Sequence, residues 1–205
     1  MTRLATGKRE VAKAQNRRAI LDAAQEIFTE MGYGAASIRD VVRRSGLAAG
    51  TFYNYFPDKE SVFRAVLDEH TTELRGRLRD ARAHARDAET IVREGFHTYF
   101  SFIVEDRPLF EMLRRNAGTV RELFDTPALE SGILELLEDL RALAARGELP
   151  ASLDLDALAA AMGGVAFELG IRLSEQDQPD VERTATFASE LFLGGMDRLA
   201  ARSHA

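Results

Sequence analysis

Residues 37–63 read SIRDVVRRSGLAAGTFYNYFPDKESVF, and the reading of this stretch decides the fold. Ser37 opens a capping box with Asp40: the hydroxyl takes an orphan amide while the carboxylate reaches back. Ile38, Val41 and Val42 then form an apolar stripe at helical spacing. Ser45-Gly46 ends this short helix, because Gly46 tolerates a left-handed turn. Residues 48–55 resume the helical pattern, with Phe52 and Phe56 four apart on one face. That leaves Ala48, Ala49, Thr51, Tyr53, Asn54 and Tyr55 on the other faces. Pro57 stops the second helix, and Asp58 caps a third whose first turn carries Lys59 and Glu60. This order of elements is a helix-turn-helix.

The run GTFYNYFPDKE, residues 50–60, resembles the DNA-binding signature of the TetR/AcrR family of transcriptional regulators, in which a Gly-Thr-aromatic-Tyr-x-x-Phe core precedes a Lys-Glu pair. The resemblance extends back through the preceding helix to about residue 14, and beyond about residue 80 only the general layout matches. Many relatives place polar or basic side chains where Ala48 and Ala49 stand, so base reading there is expected through methyl contacts rather than bidentate hydrogen bonds. Thr51, Tyr53 and Lys59 are expected at phosphates, with Ser37, Arg43 and Arg44 as weaker candidates. Ala49, Gly50, Asn54 and Tyr55 are expected at base edges, and Phe52 and Phe56 in the core.

The chain has 205 residues, 45% of them hydrophobic, which suits a globular protein with a real core. Its net charge of −6 runs against DNA binding until the chain is divided at Pro57. Residues 1–57 hold nine Lys/Arg against five Asp/Glu, whereas residues 58–205 hold eighteen against twenty-eight. Phosphate attraction decays over roughly 8 Å at physiological salt, so local sign outweighs the total. There are no cysteines, which fits a reducing cytoplasm. The basic N-terminus lacks the apolar core of a signal peptide, and the longest apolar run, residues 157–167, falls short of a membrane span. A cytoplasmic protein without membrane contact is expected.

Residues 2–15 contain Arg3, Lys8, Arg9 and Lys13 with little apolar pattern, and read as a mobile basic arm that either reaches the duplex or serves only for solubility. A helix over residues 16–31 carries Ile20, Ala24, Ile27, Phe28 and Met31 on one face, and Gly32 ends it. After Asp58 a long helix to about residue 85 has a run of Arg75, Arg77, Arg79, Arg82 and Arg86. This run reads as a solvated face paired to Glu73, Asp80 and Asp87 at helical spacing, the alternative being a second nucleic-acid contact. Residues 88–106 are apolar nearly all round and belong at the centre of a domain. Arg107-Pro108 breaks that helix, a shorter one follows, Gly118 loosens the chain, and helical patterns resume at residues 120–124 and 128–146.

Asp154 caps a helix to about residue 173, with Leu158, Met162, Val165 and Leu169 on a stripe beside Gly163 and Gly164. A last helix to about residue 201 carries Phe187, Leu191, Phe192, Met196 and Leu199 beside Gly194 and Gly195. Both have more apolar surface than one side of packing needs, and a four-helix bundle across a twofold axis would bury it. The resembling family dimerises through its last two long helices. The alternative is that the glycines serve packing within one chain only.

No Walker, zincin or Gly-x-Ser-x-Gly pattern occurs, and His70, His84, His97 and His204 lack metal-ligand spacing, so neither an enzyme, a metal nor a cofactor is expected. His97, amid Phe96 and Tyr99, reads as a core or pocket-lining residue. The expected protein is all-α: a three-helix helix-turn-helix domain over residues 1–57 and a helical ligand-binding and dimerisation domain over residues 58–205. It is expected to be a homodimeric repressor, released from a palindromic double-stranded DNA operator by a small-molecule inducer. Phe96, Tyr99, Phe100, Ile103, Phe110, Leu113 and Phe167 are the candidate pocket lining. The segment RPLFEMLRRNAGT loosely resembles the equivalent stretch of family members that sense fatty acyl chains, which points to an apolar acyl or acyl-CoA-like ligand. The alternative function is a helical small-molecule-binding protein or enzyme without DNA binding.

Overall fold

The computed structural model describes residues 2–83, 85, 87–122, 127–150 and 152–202. Every regular element among them is an α-helix: α1 Thr2–Met31, α2 Ile38–Ser45, α3 Ala49–Tyr53, α4 Lys59–Ala83, α5 Ala88–Glu105, α6 Arg107–Arg115, α7 Ala117–Glu122, α8 Pro127–Ala145, α9 Leu155–Ser174 and α10 Val181–Arg202. The chain divides into two compact units, Met1–His70 with Glu111–Val120, and Thr71–Phe110 with Arg121–Ala205. The first unit therefore holds residues 58–70 and 111–120 in addition to the 57 residues that the sequence pattern assigns to DNA binding.

In the first unit, Ile20, Leu21, Ala24, Ile27 and Phe28 of α1 are buried with Val41 of α2, Phe52 of α3, Phe56, and Val62, Phe63 and Val66 of α4. The rings of Phe28 and Phe63 meet edge to face at 5.0 Å, and Tyr33 lies 5.0 Å from Phe63. Gly32, at φ 79°, takes the left-handed turn that ends α1. The following turn is held by Asn116, which is 4% exposed. Its side-chain amide donates to the carbonyls of Phe28 (3.1 Å) and Met112 (2.7 Å), and its Oδ1 accepts the Tyr33 amide. Local pattern does not show the contacts to Phe28 and Tyr33, because those partners are 88 and 83 residues away in sequence.

In the second unit, Ile91, Val92, Phe96 and Phe100 of α5 form the core with Leu137, Leu140 and Leu143 of α8, Met162 and Leu173 of α9, and Ala188 and Met196 of α10. The Phe96 ring stacks on Phe100 at 6.0 Å and on Phe192 at 5.7 Å. The close approach of helices is at Gly170, where an added Cβ would stand 2.8 Å from Ile103 Cδ1 and 3.2 Å from Tyr99. Gly164, Gly194 and Gly195 face open space within the chain. Helix α9 is long and apolar enough to cross a membrane by length and composition, yet it belongs to this helical unit and shares its core.

Several expectations are corrected. The basic arm expected to run into the first helix is itself helical: α1 starts at Thr2 rather than near residue 16, in line with the Ala, Lys, Arg and Gln content of residues 2–15, all strong helix formers. The side chains of Arg3 and Lys8 lie outside the described residues. Met31 is exposed rather than part of the α1 core face. The break expected at Arg107-Pro108 does fall there: α5 ends at Glu105 and the shorter α6 starts at Arg107, where Pro108 is tolerated in the first turn and Asp106 Oδ1 accepts the Leu109 amide at 3.1 Å. Gly118 lies inside α7. Phe124, His84, Arg86 and His204 lie outside the described residues. His97 is half-exposed at the surface, 3.5 Å from Glu182, and not in the core.

Candidate nucleic-acid interface and ligand cavity

The capping box forms as its residue types require. Ser37 N donates to Asp40 Oδ2 at 3.1 Å, and Asp40 N donates to Ser37 Oγ at 3.3 Å. The Ser37 hydroxyl, then its amide, hold the Asp40 carboxyl below its ordinary value. Gly46, at φ 71°, turns the chain from α2 into α3. Helix α3 is shorter than the pattern of residues 48–55 suggests. Ala48 is its extended N-cap, without a side-chain hydrogen bond, and Asn54 is its C-cap. Phe52 and Phe56 anchor it from below, 0% and 6% exposed. Ala48, Ala49, Gly50, Tyr53 and Asn54 are exposed on the outer side, and Thr51 and Tyr55 are half-buried. One short helix thus presents small and hydrogen-bonding groups on a rigid base.

Several cations assigned to phosphates have other work. Arg44 bonds Glu26 and Glu30 at 2.7 Å each, tying α2 to α1, and these carboxylates, Glu30 first, push its pKa up. Lys59 Nζ donates to the carbonyls of Tyr33 (2.7 Å) and Ala36 (3.0 Å) and sits 4.3 Å over the Tyr33 ring. Two of its three donors are therefore used in holding the turn before α2. Ser37 is engaged in its cap, and Arg43 is 3.0 Å from Asp40 while highly exposed. Sequence reasoning missed Arg39, which is exposed and has no ion pair among the described residues. The signal was present: Arg39 stands two residues before buried Val41, roughly 200° round the helix.

The second unit contains a cavity of about 170 Å³ between α4, α5, α8 and α9. Its wall is mostly apolar, with Leu74, Leu78, Phe96, Ile133, Leu136 and Met162 prominent. Of the residues expected to line a pocket, Phe96, Tyr99 and Phe167 do so. Phe100, Ile103 and Phe110 do not; each is at most 4% exposed and serves as core. Leu113 belongs to the other compact unit. Burial of the Tyr99 phenol pushes its pKa up.

Three wall residues are mid-helix glycines, Gly95, Gly132 and Gly163, each costing about 1 kcal/mol against Ala. A Cβ on Gly95 or Gly132 would meet nothing within 4 Å, so helix packing does not explain them. The arginine run of α4 also differs from the solvated face expected. Arg77 does pair with Glu73, at 2.9 Å, and also contacts Glu105. Arg75 Nε bonds Glu135 of α8 at 2.9 Å, and Arg82 Nε lies 2.7 Å from Asp139. Burial raises the Asp139 pKa despite Arg82.

The chain therefore carries a helix-turn-helix with an anchored short helix and an exposed outer face, and, further along, a helical unit with an apolar cavity. Residues 20–66 match the model of the family described as bacterial regulatory proteins, tetR family. A Haemophilus influenzae HTH-type transcriptional regulator is 31% identical over 123 residues, and the match covers only 60% of each chain. The fold is similar to that of the fatty acid degradation regulator FadR from Bacillus halodurans, with TM-score 0.75 and 24% identity over 88% of this chain and 96% of the other. It is also similar to FadR from Bacillus subtilis in complex with stearoyl-CoA, with TM-score 0.76 and 21% identity over 87% and 98%. The similarity to the tetR family thus rests on residues 20–66, and the chain spans about 60% of the length of the curated relative it matches.

Proposed function

We propose that the protein is a ligand-responsive transcriptional repressor that binds a palindromic operator as a homodimer and is released by a small apolar ligand. The observation that carries this reading is α3, held by buried Phe52 and Phe56 with Ala48, Ala49, Gly50, Tyr53 and Asn54 facing outward. Two such helices, one per protomer, enter successive major grooves roughly 34 Å apart. The twofold contact is supported by the exposed apolar side chains of α10, Phe187, Leu191 and Leu199, beside Gly194 and Gly195, which face open space.

The ligand class is supported by the apolar wall of the cavity and by the stearoyl-CoA complex of the similar B. subtilis protein. At about 170 Å³ the cavity lies below the roughly 300–1,000 Å³ of sites for drug-sized ligands, so a bound chain favours a wider arrangement of its helices. A ligand with higher affinity for the wider state lowers the population of the DNA-binding state. Helix α4 runs unbroken from Lys59, under the turn before α2, to Arg82 in the cavity wall, so it can carry that change.

The test is binding of the full chain to DNA upstream of its own gene over a range of salt. Affinity should fall linearly with salt on logarithmic axes, with a slope set by the phosphates neutralised. Absence of salt-dependent, sequence-selective binding would favour a helical small-molecule-binding protein and end the repressor reading.

A further inference from the structure

We infer that the first turns of α1, through Arg9 and Lys13, make a second contact to double-stranded DNA, one that grips phosphates along the side of the helix and reads no bases. This rests on the DNA-binding reading above and adds which residues outside the helix-turn-helix hold the duplex, and how. The buried face of α1 begins at Ile20, whereas residues 9–15 are exposed on every side of the helix. Core packing does not hold these turns; they continue a helix that the core has already nucleated, so each residue only propagates it. Residues 2–15 carry Arg3, Lys8, Arg9 and Lys13 against Glu10 alone, four positive charges minus one. The arginines of α4 are answered by Glu73, Glu105, Glu135 and Asp139, but Arg9 and Lys13 have no ion pair among the described residues. Like charges four apart weaken a helix, and cations near its start oppose its dipole, here with no acidic residue in the first turn. The stretch is thus electrostatically unfavourable by itself, and a polyanion laid along it relieves both terms.

The next turn of α1 sets where these cations start. Arg17 lies 5.9 Å over the ring of Phe56, the anchor just beyond α3, and Arg17 and Arg18 bind Glu69 of α4 at 2.8 and 3.2 Å. The free basic turns therefore begin beside the base of the DNA-reading helix. Arg9 and Lys13 share one side of α1, roughly 40° apart around the axis and about 6 Å apart along it. A helix roughly 10–12 Å across does not enter a minor groove about 6 Å wide. An extended arm could do so; a helical one lies over the phosphates and adds affinity without base preference. Val11, 57% exposed, is on the opposite side, and one valine is too little apolar surface to favour a lipid bilayer over DNA.

The test uses the purified full chain, DNA upstream of its own gene, and two unrelated duplexes of the same length, one of A·T and one of G·C pairs only. The double variant Arg9→Gln/Lys13→Gln should keep its melting temperature, since both side chains are exposed. It should weaken binding to all three duplexes about tenfold or more at physiological salt. On logarithmic axes its salt slope should be shallower by about 1.8 per bound protomer, at about 0.9 for each phosphate released. Arg9→Lys/Lys13→Arg, which keeps both charges, should restore the wild-type slope. A loss confined to the A·T duplex would mean minor-groove reading and overturn the inference, as would monomers of the Gln variant in sedimentation, which would place the stretch between copies of the chain. If wild type binds its upstream DNA with a salt slope that the Gln variant leaves unchanged, this inference fails alone and the cations serve solubility. If wild type shows no salt-dependent binding, the repressor reading fails on its own readout and this inference with it.

Discussion

Asn116→Ala tests how the helix-turn-helix is held. The wild-type side chain satisfies three backbone groups, but they are not equally dependent on it. The Phe28 carbonyl also accepts the Gly32 amide at 3.1 Å, and the Met112 carbonyl also accepts the Asn116 amide at 3.1 Å, so both keep a partner. The Tyr33 amide is orphaned. A buried donor left unsatisfied costs about 1–3 kcal/mol, and the half-buried position of Tyr33 puts the loss near 2 kcal/mol. For a chain of this size that is a fall in melting temperature of roughly 4–8 °C. Urea denaturation and thermal melting read it directly. Asn116→Asp separates the donor role from the acceptor role. It keeps an acceptor for Tyr33 but sets a buried carboxylate against two carbonyl oxygens, so it should be worse than Ala at neutral pH. Its folded-state pKa would be raised, so the lost stability should return as pH falls through that pKa, when the acid can donate. A change under about 0.5 kcal/mol in Asn116→Ala, or an Asp variant more stable than Ala at neutral pH, would refute the accounting.

Lys59→Met should lower the melting temperature as well as operator affinity, because it removes two bonds to the Tyr33 and Ala36 carbonyls; an unchanged melt would return Lys59 to a purely phosphate role. Gly195→Leu should leave the protomer folded, since nothing lies within 4 Å of its Cβ, yet give monomers in sedimentation with weak operator binding; a stable dimer would remove α10 from the interface. Phe100→Trp should cost about 1–3 kcal/mol of stability, because Phe100 is 0% exposed and stacked on Phe96; an unchanged melt would mean that space exists beside it.

The capping box at Ser37, the glycine turn at Gly46, the anchors Phe52 and Phe56 and the cap at Asp154 were legible in the sequence, because each depends on residues within a few positions of one another. Helical periodicity likewise marked α5 as a central helix. Tertiary structure decided what local spacing does not encode. It committed Lys59 to carbonyls 23 and 26 residues away, and it drew residues 111–120 into the DNA-binding unit through Asn116. It turned Arg75 and Arg82 from a presumed solvent face into partners of Glu135 and Asp139 on a cavity wall. It also separated glycines that look alike in sequence: Gly170 for close approach to Ile103, Gly132 for empty volume, Gly195 for an open surface. Sequence periodicity says which side of a helix is apolar or small, whereas the function of that side depends on which distant helix, cavity or solvent the packed chain sets against it.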